Sequence, residues 1–211
     1  MNARLLYVMD PMCSWCWGFA PVFEALLAQA RAAGVEAHLL VGGLRAGTRE
    51  ALDAGRRGYI LEHWQAVHAR TGQSFRFEGA LPAGFVYDTE PACRALVAVR
   101  QLDPARLWPL LRAIQQAFYV EGRDVSRADV LVELAEAAGV ARPAFAAAFD
   151  SAALREATAA DFQRVQNLGI AGFPTLLAER NGQLALLTNG YQPLDALAPL
   201  LGRWLEHLAH G

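Results

Sequence analysis

The chain has 211 residues and a formal net charge of −2, from 19 basic and 21 acidic side chains; this near balance excludes the basic excess that neutralises nucleic-acid phosphates. With 54% hydrophobic and 19% charged residues it belongs to the globular class, well away from the low-hydrophobicity, high-charge signature of disorder. No stretch reaches the roughly 18 unbroken apolar residues of a membrane helix, and the opening apolar run ends at Asp10, short of the roughly 7–15 apolar residues of a secretory signal, so the expectation is a cytoplasmic protein with no nucleic-acid and no membrane partner.

Arg4 to Met9 is a short apolar run closed by Asp10-Pro11, too brief for a helix, and is predicted to be a buried strand. Two cysteines follow at once. Phe19, Val22, Phe23, Leu26, Leu27 and Ala30 then recur at helical spacing up to a stop at Gly34. Val35 to Val41 predicts a second strand, closed by Gly42-Gly43, so the chain opens with a β-α-β unit whose strands run parallel. From Thr48 to Asp150 the periodicity is helical, with helices predicted near Tyr59–Ala69, Glu90–Gln101, Ala105–Tyr119, Arg127–Ala138 and Pro143–Phe149, interrupted by a non-helical stretch from Gly72 to Asp88. A further helix, Ala152 to Leu168, leads into Gly-Phe-Pro-Thr at Gly172–Thr175. Thr175–Ala178 and Leu184–Leu187, separated by the turn pair Asn181-Gly182, predict a hairpin, and Pro193 to Leu208 a closing amphipathic helix. The order is β-α-β, a helical insertion over 48–150, then α-β-β-α.

Cys13 and Cys16 sit where the first strand turns into a helix, separated by Ser14-Trp15. Unpaired backbone N–H groups and the positive end of the helix dipole favour a thiolate at such a place. Cys13 is expected to be the exposed, attacking thiol and Cys16, one turn deeper, the resolving one. Trp15 and Trp17 would give the rim a flat apolar surface for a substrate. The same spacing also suits a zinc half-site, but four ligands would require Cys93 and a distant histidine such as His63 or His68, so redox chemistry is preferred and no metal is expected. Pro174 has two readings: a cis peptide bond placed for close approach, or an ordinary trans proline opening a strand.

The runs Asp10–Phe19 (Asp-Pro-Met-Cys-Ser-Trp-Cys-Trp-Gly-Phe), Tyr87–Ala95, Glu121–Ser126 and Gly-Phe-Pro-Thr resemble, in order and over nearly the whole chain, the DsbA family and within it the cytoplasmic FrnE-like branch of protein-disulfide isomerases. The resemblance implies an α/β, thioredoxin-like fold with a large helical insertion: residues 1–47 and 151–211 form the thioredoxin-like domain and 48–150 the insertion domain. It implies Cys13 as nucleophile, Cys16 as resolving thiol, a cis Phe173-Pro174 bond facing them, and substrate contacts from Phe173, Thr175 and the backbone beside Pro174. The substrate would be a disulfide-containing protein or peptide, or a small-molecule disulfide; no cofactor would be bound, and the reductant would be glutathione or another thiol. Periplasmic relatives carry Pro-His between the cysteines where this chain has Ser14-Trp15, so a weaker oxidant is expected. Two other classes stay open: a kappa-type glutathione transferase or isomerase-like enzyme, against which the intact cysteine pair argues, and a peptide-binding, chaperone-like module. Cys93 is expected to be a buried structural thiol, Glu24 a solvated residue rather than a proton relay for Cys16, and His38 to lie in a strand, with His207 and His210 near the C-terminus and without partners.

Overall fold

The computed structural model describes residues 3–209; the ends of 1–47 and 151–211 beyond that range, His210 among them, lie outside the described residues. The strands are β1 (Ala3–Met9), β2 (Glu36–Val41), β3 (Thr175–Arg180) and β4 (Gln183–Asn189). The helices are α1 (Ser14–Ala32), α2 (Ala54–Thr71), α3 (Glu90–Leu102), α4 (Leu107–Tyr119), α5 (Ala128–Ala137), α6 (Arg142–Phe149), α7 (Ala152–Asn167) and α8 (Leu194–Ala209). This is the expected order, with helical residues alone between β2 and α7 apart from loops and one bridge, Ala51 to Val86. No helix among the described residues is long and apolar enough to cross a membrane.

The four strands form one sheet in the order β2-β1-β3-β4. β1 runs parallel to β2, from Arg4 opposite Glu36 to Met9 opposite Val41, and antiparallel to β3, from Ala3 opposite Arg180 to Val8 opposite Thr175. β1 is one of the two interior strands and alternates its side chains between two faces that are both covered by helices, which is why its sequence is continuously apolar rather than alternating. Leu5, Tyr7 and Met9 enter the main core with Phe19, Phe23 and Leu26 of α1, Tyr7 stacking on Phe23 at 3.9 Å between ring centroids, while Val8 packs with Leu40 and with Val165 of α7 on the other face. The β3–β4 hairpin turns at Asn181 (φ 50°) and Gly182 (φ 83°), the left-handed pair that an Asn-Gly turn supplies.

The main core continues without a break into the helical block, where Trp64, Leu96, Ile114 and Phe118 join the same cluster. α3 is buried from Ala92 to Val99. Its one charge in that span, Arg94, is matched by Glu90 at 2.8 Å and lies over the Phe149 ring, also donating to the Phe149 carbonyl. Helix boundaries differ from the sequence expectation mainly at α2, which starts at Ala54 because the Asp53 side chain accepts from Arg56 N at 2.8 Å; its first turn, Ala-Gly-Arg-Arg-Gly, carries no apolar periodicity. The helix expected from Ala105 begins instead with a 3-10 turn at Pro104–Arg106, capped by Asp103.

The block is tied to the sheet by Arg100 of α3. Its guanidinium grips Asp161 of α7 through two bonds of 2.7 and 3.0 Å and donates to the Leu39 carbonyl of β2, while Asp161 also accepts from Val41 N at 3.2 Å. Removing one member of a largely buried pair strands the other's charge, so Asp161→Ala should lower stability by about 3 kcal/mol, read as a reduced urea midpoint at unchanged slope. A loss under about 1 kcal/mol would mean that the clamp is a surface-type pair.

Candidate active site

The site is built at the C-terminal end of β1. Pro11 and Met12 make a tight turn, closed by Cys13 N donating to the Asp10 carbonyl at 3.0 Å, and Cys13 becomes the N-cap of α1 with extended backbone (φ −86°, ψ 118°). Two groups hold the turn. The Asp10 carboxylate, fully buried, accepts from Met12 N at 2.8 Å, from Leu44 N at 2.7 Å and from the Cys93 thiol at 3.5 Å; the Tyr87 hydroxyl donates to the Met12 carbonyl at 2.5 Å. Burial raises the Asp10 carboxyl above its ordinary range, and the hydrogen bonds it receives from Thr89, Met12, Leu44 and Cys93 act against that rise.

The cis-proline loop closes the site from the other side. The Phe173–Pro174 bond is cis, and the Phe173 carbonyl lies 3.8 Å from Cys13 Sγ, within reach of a weak bond donated by the thiol. Gly42, just past β2, makes this approach possible: a Cβ there would stand 2.0 Å from the tip of the Phe173 ring. The Pro174 carbonyl is taken by Gly190 N at 2.7 Å. In front of Cys13 opens a cavity of about 240 Å³ whose walls include Trp15, Arg45, His63, Tyr87 and Phe173; a second, of about 350 Å³, lies beyond Trp15 and Phe173 against Arg70, Gly190 and Tyr191.

All three cysteines are free thiols. Cys13 was expected to be exposed, and that is corrected: it is 6% exposed and Cys16 0%, because the loop carbonyl and the helical block crowd over the helix start, so the difference between them is access to the cavity rather than open exposure. Burial first, and then the adjoining Cys13 thiol, push the Cys16 thiol well above its usual range; a cysteinate with neither water nor a cation around it is disfavoured. Cys93 is pushed up by burial and by the nearby Asp10 charge. Buried as anticipated, it acts as a donor to Asp10.

Of the expected substrate contacts, Trp15 and Phe173 line both cavities, Trp15 half-buried against Tyr191 at 5.9 Å. Trp17 is corrected: it is 3% exposed, stacks on Tyr119, donates through Nε1 to the Ser74 carbonyl at 3.0 Å and so anchors the segment after α2 instead of forming a rim. Thr175 is corrected as well. At 1% exposure its hydroxyl lies 2.8 Å from the Gly172 carbonyl and 3.1 Å from Asn189 Oδ1, fastening the loop to β4 rather than meeting a substrate. Glu24 is exposed and paired with Arg112 at 3.0 Å. His38 lies in β2 and its imidazole is held below its usual range by burial and then by Arg100; His207 Nδ1 contacts the Arg203 carbonyl. No group of three or more His, Cys, Asp or Glu among the described residues is arranged to hold a metal. Sequence reasoning missed Arg45 and the roles of Asp10 and Tyr87. The last two stand inside motif runs, but nothing local announces that a side chain will reach a carbonyl 75 residues away.

The family described as the DSBA-like thioredoxin domain matches residues 4–202. A Nitrosomonas europaea structure, classed provisionally as a protein disulfide isomerase, is 44% identical with complete coverage of both chains and a TM-score of 0.93. The cytosolic disulfide reductase DsbM of Pseudomonas aeruginosa is 34% identical over 95% of this chain and 98% of its own, with a TM-score of 0.79; its structure with GSH is similar at 32% identity, covering the same shares, and a TM-score of 0.77. The ClpXP adapter protein SpxH of Shouchella clausii is 22% identical over 92% of this chain, which spans 64% of that adapter's length.

Two outcomes test this geometry. Gly42→Ala should cost about 1–3 kcal/mol by overpacking against Phe173 and slow thiol exchange at Cys13, with Phe173→Leu in the same chain recovering stability; a silent Gly42→Ala would detach the loop from that contact. The second concerns pH. Because Cys16 and Cys93 have raised values in the folded chain, the stability of the reduced protein should be fully present below the ordinary thiol value of about 8.5 and fall above it, as the unfolded thiols ionise first. The loss in urea-unfolding free energy between pH 7 and pH 9.5 should be smaller by about 1 kcal/mol in Cys93→Ala; equal losses in both proteins would show Cys93 ionising as freely folded as unfolded.

Proposed function

The chain belongs to the DsbA-like thioredoxin family of thiol–disulfide oxidoreductases, and we propose that it works in the reducing direction, as a reductase or isomerase of protein or small-molecule disulfides, through the Cys13-Ser14-Trp15-Cys16 dithiol. The supporting observation is the position of Cys13 Sγ, opening into the cavity and 3.8 Å from the Phe173 carbonyl, with Cys16 sealed behind it. Cys13, as thiolate, attacks one sulfur of the substrate disulfide; a Cys13–substrate bond forms, the substrate S–S bond breaks, and the departing thiolate takes a proton. Cys16 then gives up its proton and attacks Cys13 Sγ, releasing the second substrate thiol and leaving a Cys13–Cys16 disulfide. Two equivalents of an external thiol such as glutathione reduce that bond, the first forming a mixed disulfide and the second releasing it, so that the dithiol is restored and the external thiol leaves as its disulfide. Trp15 and Phe173 contact the substrate, and Pro174 fixes the carbonyl that faces Cys13.

The reading places the protein in the cytoplasm, as for the disulfide reductase it resembles, and assigns it no bound cofactor. It treats residues 48–150 as a helical insertion domain covering the redox site of a thioredoxin-like domain made of 1–47 and 151–211.

Cys13→Ser should abolish disulfide reduction, and Cys16→Ser should accumulate a mixed disulfide at Cys13, identified by peptide mass after acid quench. A mixed disulfide trapped at Cys93 instead, or turnover surviving in Cys13→Ser, would overturn the assignment. In the wild type, release of substrate from the transient Cys13 mixed disulfide, followed in single turnover, should accelerate about tenfold per pH unit through neutrality, because Cys16 must ionise from a raised value.

A further inference from the structure

Sulfur exchange leaves the charge around the site unexplained. Arg45, His63 and Arg70 line the two cavities that meet at Trp15 and Phe173, and no Asp or Glu lines either, although acidic side chains outnumber basic ones in the chain as a whole. Both arginines stand over a tyrosine ring and, among the described residues, neither has a carboxylate within ion-pair distance. Arg45 lies 5.3 Å from the Tyr87 centroid and Arg70, in the last turn of α2, 5.7 Å from that of Tyr191. Arg45 is also held by its backbone, whose N–H donates to Thr89 Oγ1 at 3.1 Å, and its Nε is buried without a partner. Stacking on a ring restrains a guanidinium and leaves its in-plane N–H groups free for a planar anion.

We propose that Arg45 and Arg70 are the substrate-selecting residues of this site and that its substrate is a small acidic disulfide, each half carrying a carboxylate. The proposal rests on the dithiol cycle above. In thiol–disulfide exchange the attacking, central and leaving sulfurs lie roughly in line, so the half that carries the sulfur under attack branches sideways from that line while the other half extends away with the leaving sulfur, and the two halves need separate spaces. Two cavities of about 240 and 350 Å³, divided by Trp15 and Phe173, suit two short halves, and one arginine in each offers a charge-assisted bond to a carboxylate. Arg45 serves the half bonded to Cys13, whose cavity it shares, and Arg70 the half that leaves.

The test uses the full chain, pre-reduced and freed of reductant, in single-turnover reactions with three disulfides: glutathione disulfide, which is anionic; bis(2-hydroxyethyl) disulfide, which is neutral; and cystamine, which is cationic. The readout is the ratio of second-order rate constants for the anionic over the cationic disulfide. That ratio should fall about tenfold in each of Arg45→Gln and Arg70→Gln, the loss of one charge-assisted contact. It should fall further in the double variant, shrink with added salt in the wild type, and recover in part in Arg45→Lys. A ratio unchanged in the double variant, or a loss of rate equal for all three disulfides, would overturn the proposal and leave the arginines as packing residues. Failure of the wild type to reduce any of the three would overturn the dithiol cycle itself and this proposal with it.

Discussion

The Asp10 carboxylate is the constraint on which the site depends. It is wholly buried at the point where β1 ends, and it gathers donors from three separate segments: Met12 of the redox turn, Leu44 of the loop after β2, and Cys93 of α3. A buried carboxylate with fewer partners would be costly, since burial alone drives it toward the neutral form. With those donors in place it becomes a hub that fixes the turn carrying Cys13 relative to both the sheet and the helical block. Tyr87 adds a second tie from the helical block, on the carbonyl of Met12. The first cysteine is therefore held at the start of α1 by the rest of the protein rather than by the local sequence.

This arrangement accounts for the asymmetry of the pair. Cys16 lies one turn along α1, facing Tyr7 and the main core, and its surroundings hold it neutral. Cys13 faces the cis-proline loop and the cavity. The proposed division between an attacking and a resolving thiol would follow from which side of the helix start is packed, with Gly42 giving the Phe173 ring the room that lets the loop close on the turn.

Much of the fold could be read from the sequence because its signals are local. The Asn181-Gly182 turn, the period of α1 and the unbroken apolar run of β1 each specify their own element, and the cysteine spacing at a strand-to-helix junction marks where the candidate site lies. What could not be read is a matter of which way side chains turn in the tertiary structure. Trp15 and Trp17, two residues apart on a helix, point to different sides, so one lines a cavity and the other locks onto Tyr119. Thr175 follows the cis proline, yet the pairing of β3 on both edges turns its hydroxyl toward β4 and Gly172. Arg45 carries no local signal, and its place at the cavity wall arises only when the segment before α3 brings Tyr87 beneath it.

The reducing direction proposed above draws its support from what surrounds the dithiol. Neither Ser14 nor Trp15 brings a cation between the cysteines, and the hydrogen-bond partners of Cys13 Sγ are neutral groups, the Phe173 carbonyl at 3.8 Å and the Cys16 thiol. On that proposal the reduced form gains less over the disulfide than in a strong oxidant, in which the reduced form is stabilised. Equilibrium titration of the Cys13–Cys16 pair against glutathione tests this most directly. A potential nearer the roughly −270 mV of thioredoxin than the roughly −120 mV of DsbA agrees with a reductase or isomerase, whereas one above about −150 mV contradicts it and makes the protein an oxidase.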